Sequence, residues 1–169
     1  MDLEEAVRTR RTHKSFGSEP VARETLDELF ELARWAPNHH LTQPWRFRVL
    51  GPQTLARLKE AAGPAEAIKL DRAPTLVLVS ARLSGDLVQD HEDLHATACA
   101  VYAVLLGAHA RGLASYWRTP AVLRTKRGRV AVGLPDGERF VALIHLGPTR
   151  SEPPTKERSP VGDYVEYLL

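Results

Sequence analysis

Thr75-Leu76-Val77-Leu78-Val79, set off by Pro74, is a continuous apolar run rich in β-branched residues and leucine. A strand with one wet face alternates apolar and polar residues; one without that alternation needs cover on both sides. The run therefore predicts a central strand in a layered domain. Upstream, Val21 to about Arg34 reads as an amphipathic helix, with Leu26, Leu29, Phe30 and Ala33 at i, i+3, i+4 and i+7. Pro37 ends it, because a residue before proline resists helical geometry. Trp45 to Leu50 alternates, with Trp45, Phe47 and Val49 on one face and Arg46 and Arg48 on the other, as a strand with one buried face does. Pro52 opens a short helix carrying Leu55, Leu58 and Ala62, which Gly63-Pro64 breaks.

Downstream of the run, Arg82 to Asp90 reads as a polar loop of the kind that moves over a site. His91 to Arg111 is the longest expected helix, ended by Gly112, and its second half is apolar nearly all round. One small domain has difficulty burying so much, and a subunit interface is the natural outlet. Leu113 to Trp117 is extended, Pro120 to about Val132 helical despite Gly128, and Phe140 to Leu146 an apolar strand. Ser151 to Pro160 is too rich in proline for regular structure, and Asp163 to Leu169 fits a strand or a helical turn. The alternation predicts a sheet layered between helices in one domain spanning 1–169.

At 169 residues, with 43% hydrophobic and 26% charged side chains, the chain has enough apolar material for a core without disulfide or metal. Its 23 basic and 21 acidic residues leave a net charge of only +2, which is no nucleic-acid signature. A basic cluster at Arg124, Lys126, Arg127 and Arg129 comes without a helix-turn-helix, zinc-finger or stacking motif and reads as a solvated helix face. The single cysteine, Cys99, fits a reducing compartment, and its apolar helix predicts a small core residue. The acidic start is unlike a signal peptide and no apolar run reaches a membrane span. The expectations are a cytoplasmic protein with no nucleic-acid and no membrane partner.

The chemistry concentrates in Arg8-Thr9-Arg10-Arg11-Thr12-His13-Lys14-Ser15-Phe16. Asp2 to Val7 reads as a short helix capped by Asp2, with Leu3, Ala6 and Val7 on one face, so the cations gather where it ends. An arginine fork donates two parallel hydrogen bonds to a phosphate. No G-x-G-x-x-G or Walker loop follows a strand, so a nucleotide would not be held in either of those ways. No G-x-S-x-G elbow supports a serine hydrolase. His91-Glu92-Asp93-Leu94-His95 matches H-E-x-x-H, which would make a zinc hydrolase with Glu92 as base; Ala98 and Val101 stand where an extended zinc motif has Gly and His, leaving Glu138 as a distant third ligand.

Taken in order, several segments resemble the nitroreductase family, in particular its short, single-domain members. Arg10-Arg11-Thr12-His13-Lys14-Ser15-Phe16 is similar to the family's opening R-R-S/T-x-K/R-x-F, and Ala36 to Phe47 to its A-P-S-x-x-N-x-Q-P-W-x-F. Ala108 to Ser115 resembles the end of its interface helix, Gly133-Leu134-Pro135 and Leu146-Gly147 its G-L-P and L-G, and Lys156-Glu157-Arg158 its closing K-x-R. The resemblance implies an α+β sandwich with a central, mostly antiparallel sheet flanked by helices, homodimeric, with FMN at the subunit interface and no metal. It implies hydride transfer from NADH or NADPH through flavin N5 to nitroaromatic, quinone or similar acceptors by a ping-pong route, with no catalytic side-chain triad. Arg10, Arg11 and Thr12 would hold the phosphate and ribityl chain, Lys14 would face the pyrimidine edge, and Arg158 with Lys156 would close the phosphate site. Trp35 and His39 would reach the other subunit's FMN, while Trp117, Arg118 and Thr119 would lie beside the ring. Leu41 stands where the family has Asn, and Pro120, which lacks an N–H, lies near the expected N5 contact. A flavin-binding module without turnover is therefore a second alternative to the zinc hydrolase.

Overall fold

The computed structural model describes residues 1–168; Leu169, the end of the expected terminal strand or turn, lies outside them. Four strands, β1 (Trp45–Val49), β2 (Thr75–Arg82), β3 (Leu113–Arg118) and β4 (Glu138–Pro148), form one sheet in the order β1-β2-β4-β3. Every neighbouring pair is antiparallel. β2 is interior, and the side-chain alternation of a strand splits it between two cores. Val77 and Val79, with Ile144 and Leu146 of β4, pack under α2 (Arg23–Ala33) and α5 (Leu87–Ala110). Leu76 and Leu78, with Leu143, pack on the other side beneath α3 (Pro52–Ala62), α4 (Pro64–Leu70) and the segment around Leu123 to Leu134. The apolar run is thus the two-faced centre its composition requires, in an α+β arrangement.

Local chemistry explains where elements begin. Asp2 caps α1 (Leu3–Thr9) by accepting the Glu5 N–H at 2.8 Å. Ala6 is buried while Leu3 and Val7 of the same expected apolar face stay exposed. Pro64 starts α4 where the sequence suggested only a break, since proline suits a first helical position. α5 begins at Leu87 because Asp86 accepts the N–H groups of Val88 and Gln89 at 3.0 and 2.9 Å. The expected mobile loop at 82–90 therefore shrinks, because β2 runs through Arg82 and the Asp90 carboxylate holds the Ser84 N–H at 2.6 Å.

The expected helix from Pro120 to Val132 is two pieces. Ala121–Arg124 is a 3-10 turn, and Thr125 caps α6 (Lys126–Ala131) by accepting the Gly128 N–H. A side chain at 128 would stand 2.0 Å from the Val122 carbonyl oxygen, so Gly128 is what lets the two pieces touch. Cys99 is a further correction: it lies on the exposed face of α5, outside the core, because only part of that apolar surface is covered within one chain.

Candidate cofactor site

Arg10 leaves α1 with extended ψ while its N–H still closes the last helical turn onto Ala6. The next residues run along the sheet edge. The His13 N–H donates to the Ser115 carbonyl at 3.0 Å, Phe16 bridges Thr149, and Gly17 N–H donates to Pro148 at 2.8 Å. Buried His13 and Phe16 anchor the segment, and Thr12 and Lys14, on either side of His13, stay exposed.

The C-terminal tail comes back over this segment. Arg10, Arg11, Thr12, Lys14 and Ser15 on one side, with Glu152, Lys156 and Arg158 on the other, enclose a cavity of about 520 Å³. Five cations face one carboxylate there, and among the described residues none of the five forms an ion pair. Arg11 donates only to the carbonyls of Arg8 and Arg10, at 2.6 and 3.0 Å. Arg158 donates weakly to the carbonyls of Lys156 and Glu157, both at 3.3 Å. Arg10 Nε is buried without any partner among the described residues. A buried donor left unsatisfied costs free energy, and a bound oxyanion removes that cost.

Behind the cations stands His109, in the last turn of α5. Its Nε2 lies 2.7 Å from Thr9 Oγ1, which itself donates to the Glu5 carbonyl at 2.6 Å. Burial holds this imidazole below the ordinary histidine range, with Arg10, His13 and Arg11 adding to the effect and Glu152 opposing it.

The other expected site residues are elsewhere. Trp117 is half-buried against the α5-side core, and Thr119 faces a different cavity of about 680 Å³. Arg118 is 9% exposed and turns its guanidinium into an ion pair with Glu66, capped by the Lys69 carbonyl. Its side chain is thus engaged within the chain by Glu66 and Lys69. Burial works to raise the Glu66 carboxyl, but hydrogen bonds from Lys69 and Arg118 outweigh it and hold it below the usual carboxylate range.

Trp35, 77% exposed, and His39 sit on a polar loop away from the cavity. His39 Nδ1 lies 2.8 Å from Glu92 and its ring stacks on His40 at 3.8 Å. His40, Leu41 and Gln43 adopt φ of 52°, 52° and 44°. Asparagine tolerates this left-handed region far better than leucine, so the departure at Leu41 is a strained one. The loop holds because Asn38 accepts the Gln43 N–H at 2.9 Å and Thr42 donates to buried Asp93.

The zinc pattern is not assembled. Glu92 is engaged with His39, and Glu138 is held by both guanidinium nitrogens of Arg48 at 2.7 and 2.8 Å. Among the described residues no three histidine, cysteine or acidic side chains group as metal ligands. Sequence reasoning missed Glu66, Glu152 and His109. Only the short distance in sequence from His109 to the Gly112 cap hinted that it lies at a helix end.

A family model described as the nitroreductase family matches residues 7–67. A Bacillus subtilis (strain 168) protein called "Putative NAD(P)H nitroreductase YfhC" is 29% identical over 95% of this chain and 91% of its own. A nitroreductase-like family protein of Bacillus cereus superposes with a TM-score of 0.90, at 23% identity, over 99% of this chain and 96% of that one. A Desulfovibrio desulfuricans protein described as "a putative nitroreductase in complex with fmn" gives 0.83 at 25% identity, covering 98% and 95%. Among the described residues no helix is long and apolar enough to cross a membrane.

Proposed function

We propose that this chain is a member of the nitroreductase family, as the family-model match at residues 7–67 and its similarity to the Bacillus subtilis protein support, and that it is a homodimeric FMN-dependent oxidoreductase taking hydride from NADH or NADPH. Its acceptors are nitroaromatics, quinones or similar electron-poor molecules, reduced by a ping-pong route. The observation that carries the reading is the set of cations, without an ion pair among the described residues, that segments far apart in sequence bring around one cavity.

The donor set fits a flavin phosphate. Arg10, Arg11, Lys156 and Arg158 supply charge-assisted hydrogen bonds, each contributing about 1.5–3 kcal/mol. Thr12 offers a hydroxyl to the phosphate and sugar-alcohol chain, and Lys14 a cation to the pyrimidine edge. Arg10 Nε gains the acceptor it lacks. When bound, the flavin supplies a two-electron hydride relay, so the protein's part is to hold, orient and exclude water rather than to provide an acid–base triad. A second copy is supported by apolar surface that one chain leaves open: Leu3 and Val7 on α1, Val88 and Tyr102 on α5, and Tyr164 and Tyr167 in the tail. The Trp35 and His39 loop, exposed and away from its own cavity, then serves the neighbouring subunit's site.

The test is a spectrum. Purified protein is yellow, and the flavin band bleaches on anaerobic addition of NADH or NADPH. Colourless protein with stoichiometric zinc supports the hydrolase on His91, Glu92 and His95 instead. Yellow protein that neither nicotinamide bleaches supports a binding module, which strained Leu41 and the missing N–H of Pro120 would favour. Sedimentation of a flavin-loaded monomer would refute the shared site.

A further inference from the structure

We propose that His109 is a proton-linked positioning residue for the phosphate end of this cavity, taking up a proton as a phosphate dianion enters and returning it as the site empties. This deepens the reading above and rests on it.

The hydrogen bonding assigns the imidazole's resting form. The single hydroxyl proton of Thr9 is given to the Glu5 carbonyl at 2.6 Å. Thr9 Oγ1 therefore meets His109 at 2.7 Å as an acceptor, and Nε2 carries the hydrogen. In the neutral ring Nδ1 is then the basic nitrogen, and it is the atom that takes the second proton. Protonation there breaks no existing bond, because the Nε2–H to Thr9 contact survives it.

The charges around the ring are opposed. Arg10, Arg11 and His13, in the segment leaving α1, disfavour a further positive charge, and Glu152 in the tail favours it. Arg111, the residue that caps the C-terminal end of α5, is tied to Glu28 of α2 at 3.0 Å. The C-terminal end of a 24-residue helix also favours a cation. Burial and the neighbouring arginines keep the ring neutral while the cavity holds no anion. Arg10 and Arg11 are also cavity walls, so a phosphate of charge about −1.5 to −2 at pH 7 lands on the cations that suppress His109. Once their field is offset, burial and His13 are left to oppose the helix end, Glu152 and the incoming dianion. The imidazolium then adds one positive charge behind the arginines and holds Thr9, and through it the last turn of α1, in place.

The test is calorimetric titration of flavin-stripped, full-length protein with FMN near pH 7, in two buffers of different ionisation enthalpy. Wild type takes up a fraction of a proton with FMN and none with riboflavin, which lacks the phosphate. Above pH 7 FMN is already a dianion, and for an uptake of about half a proton at pH 7 its binding weakens by about twofold by pH 9 as the proton is lost. His109→Gln keeps an N–H for Thr9, so it still binds FMN, but proton uptake vanishes and the pH profile flattens. FMN binding without proton uptake in wild type, or equal uptake in His109→Gln, overturns the role of His109 while leaving the flavin reading intact. If the variant does not fold, the contrast between FMN and riboflavin in wild type decides alone. Failure of FMN to bind wild type at all removes the flavin reading and this inference with it.

Discussion

Two groups of basic side chains in this protein differ in one respect. Arg48 and Arg118 meet carboxylates, Glu138 and Glu66, and sit within the folded body. Arg10, Arg11, Lys14, Lys156 and Arg158 line a cavity where Glu152 is the one acid and no ion pair forms among the described residues. Arginine occurs in both groups, so side-chain identity does not separate a structural cation from a binding one. What separates them is whether the fold brings a carboxylate to it. A cation neutralised inside the chain can only be lost at a cost in stability, whereas one left without a counter-ion is available to a ligand.

The comparison breaks first at the paired group. Arg48→Met leaves the Glu138 carboxylate, 11% exposed, without its partner and should cost about 3–5 kcal/mol in chemical unfolding. Hydrogen bonds from Arg48, then from Ser80, hold that carboxyl below the usual range against burial, so the penalty should shrink in acid as Glu138 protonates. Flavin content per folded molecule should not change; if it fell in proportion to stability, the two groups would not be separable.

His145 sharpens the contrast as a buried base with neither cation nor acid bound to it. It is fully buried between Phe16 and Tyr116, both ring nitrogens lack partners among the described residues, and burial, with Arg118 and Arg72, pushes its pKa down to about 3. The unfolded chain then binds the proton that the folded one refuses. Stability is complete above the ordinary histidine pKa and falls as pH drops from about 6.5 toward 3, by about 3 kcal/mol at pH 4. His145→Leu should remove that part of the acid sensitivity in urea titrations run at several pH values. An unchanged acid slope would mean the ring is hydrated and charged in the fold.

The unpaired group gives the next effect. Arg10→Ala should weaken FMN by about 2–3 kcal/mol, read by equilibrium dialysis, with little loss of stability in the flavin-free protein. Flavin retained undiminished after dialysis would count against the cavity. The smallest effect is at the strained loop, where Leu41→Asn should stabilise the protein by about 1 kcal/mol through relief of left-handed strain, measured as a raised melting temperature.

Local patterns were legible in proportion to how local their causes are. The two-faced run at 75–79, the Asp2 cap, the helix around Leu26 to Ala33 and the stop at Gly112 were all readable, because period and capping act over a few residues. The helix expected from Pro120 failed at Thr125, where contact between Gly128 and Val122 decides the geometry. The loop at 82–90 failed because the capping signal at Asp86 outweighed its polar composition. At the site, the arginine segment and Lys156 to Arg158 were recognisable as motifs. Arg118 was not recognisable as a structural cation, since Glu66 lies 52 residues away.

By itself the sequence determined the central strand, the order of most elements and which side chains carry charge, for those follow from spacing and side-chain chemistry along the chain. Only the tertiary structure decided which charges are neutralised and that His109 stands behind the arginines of the cavity. Electrostatic state depends on neighbours within a few ångströms in space, and those neighbours are more than fifty residues apart in sequence.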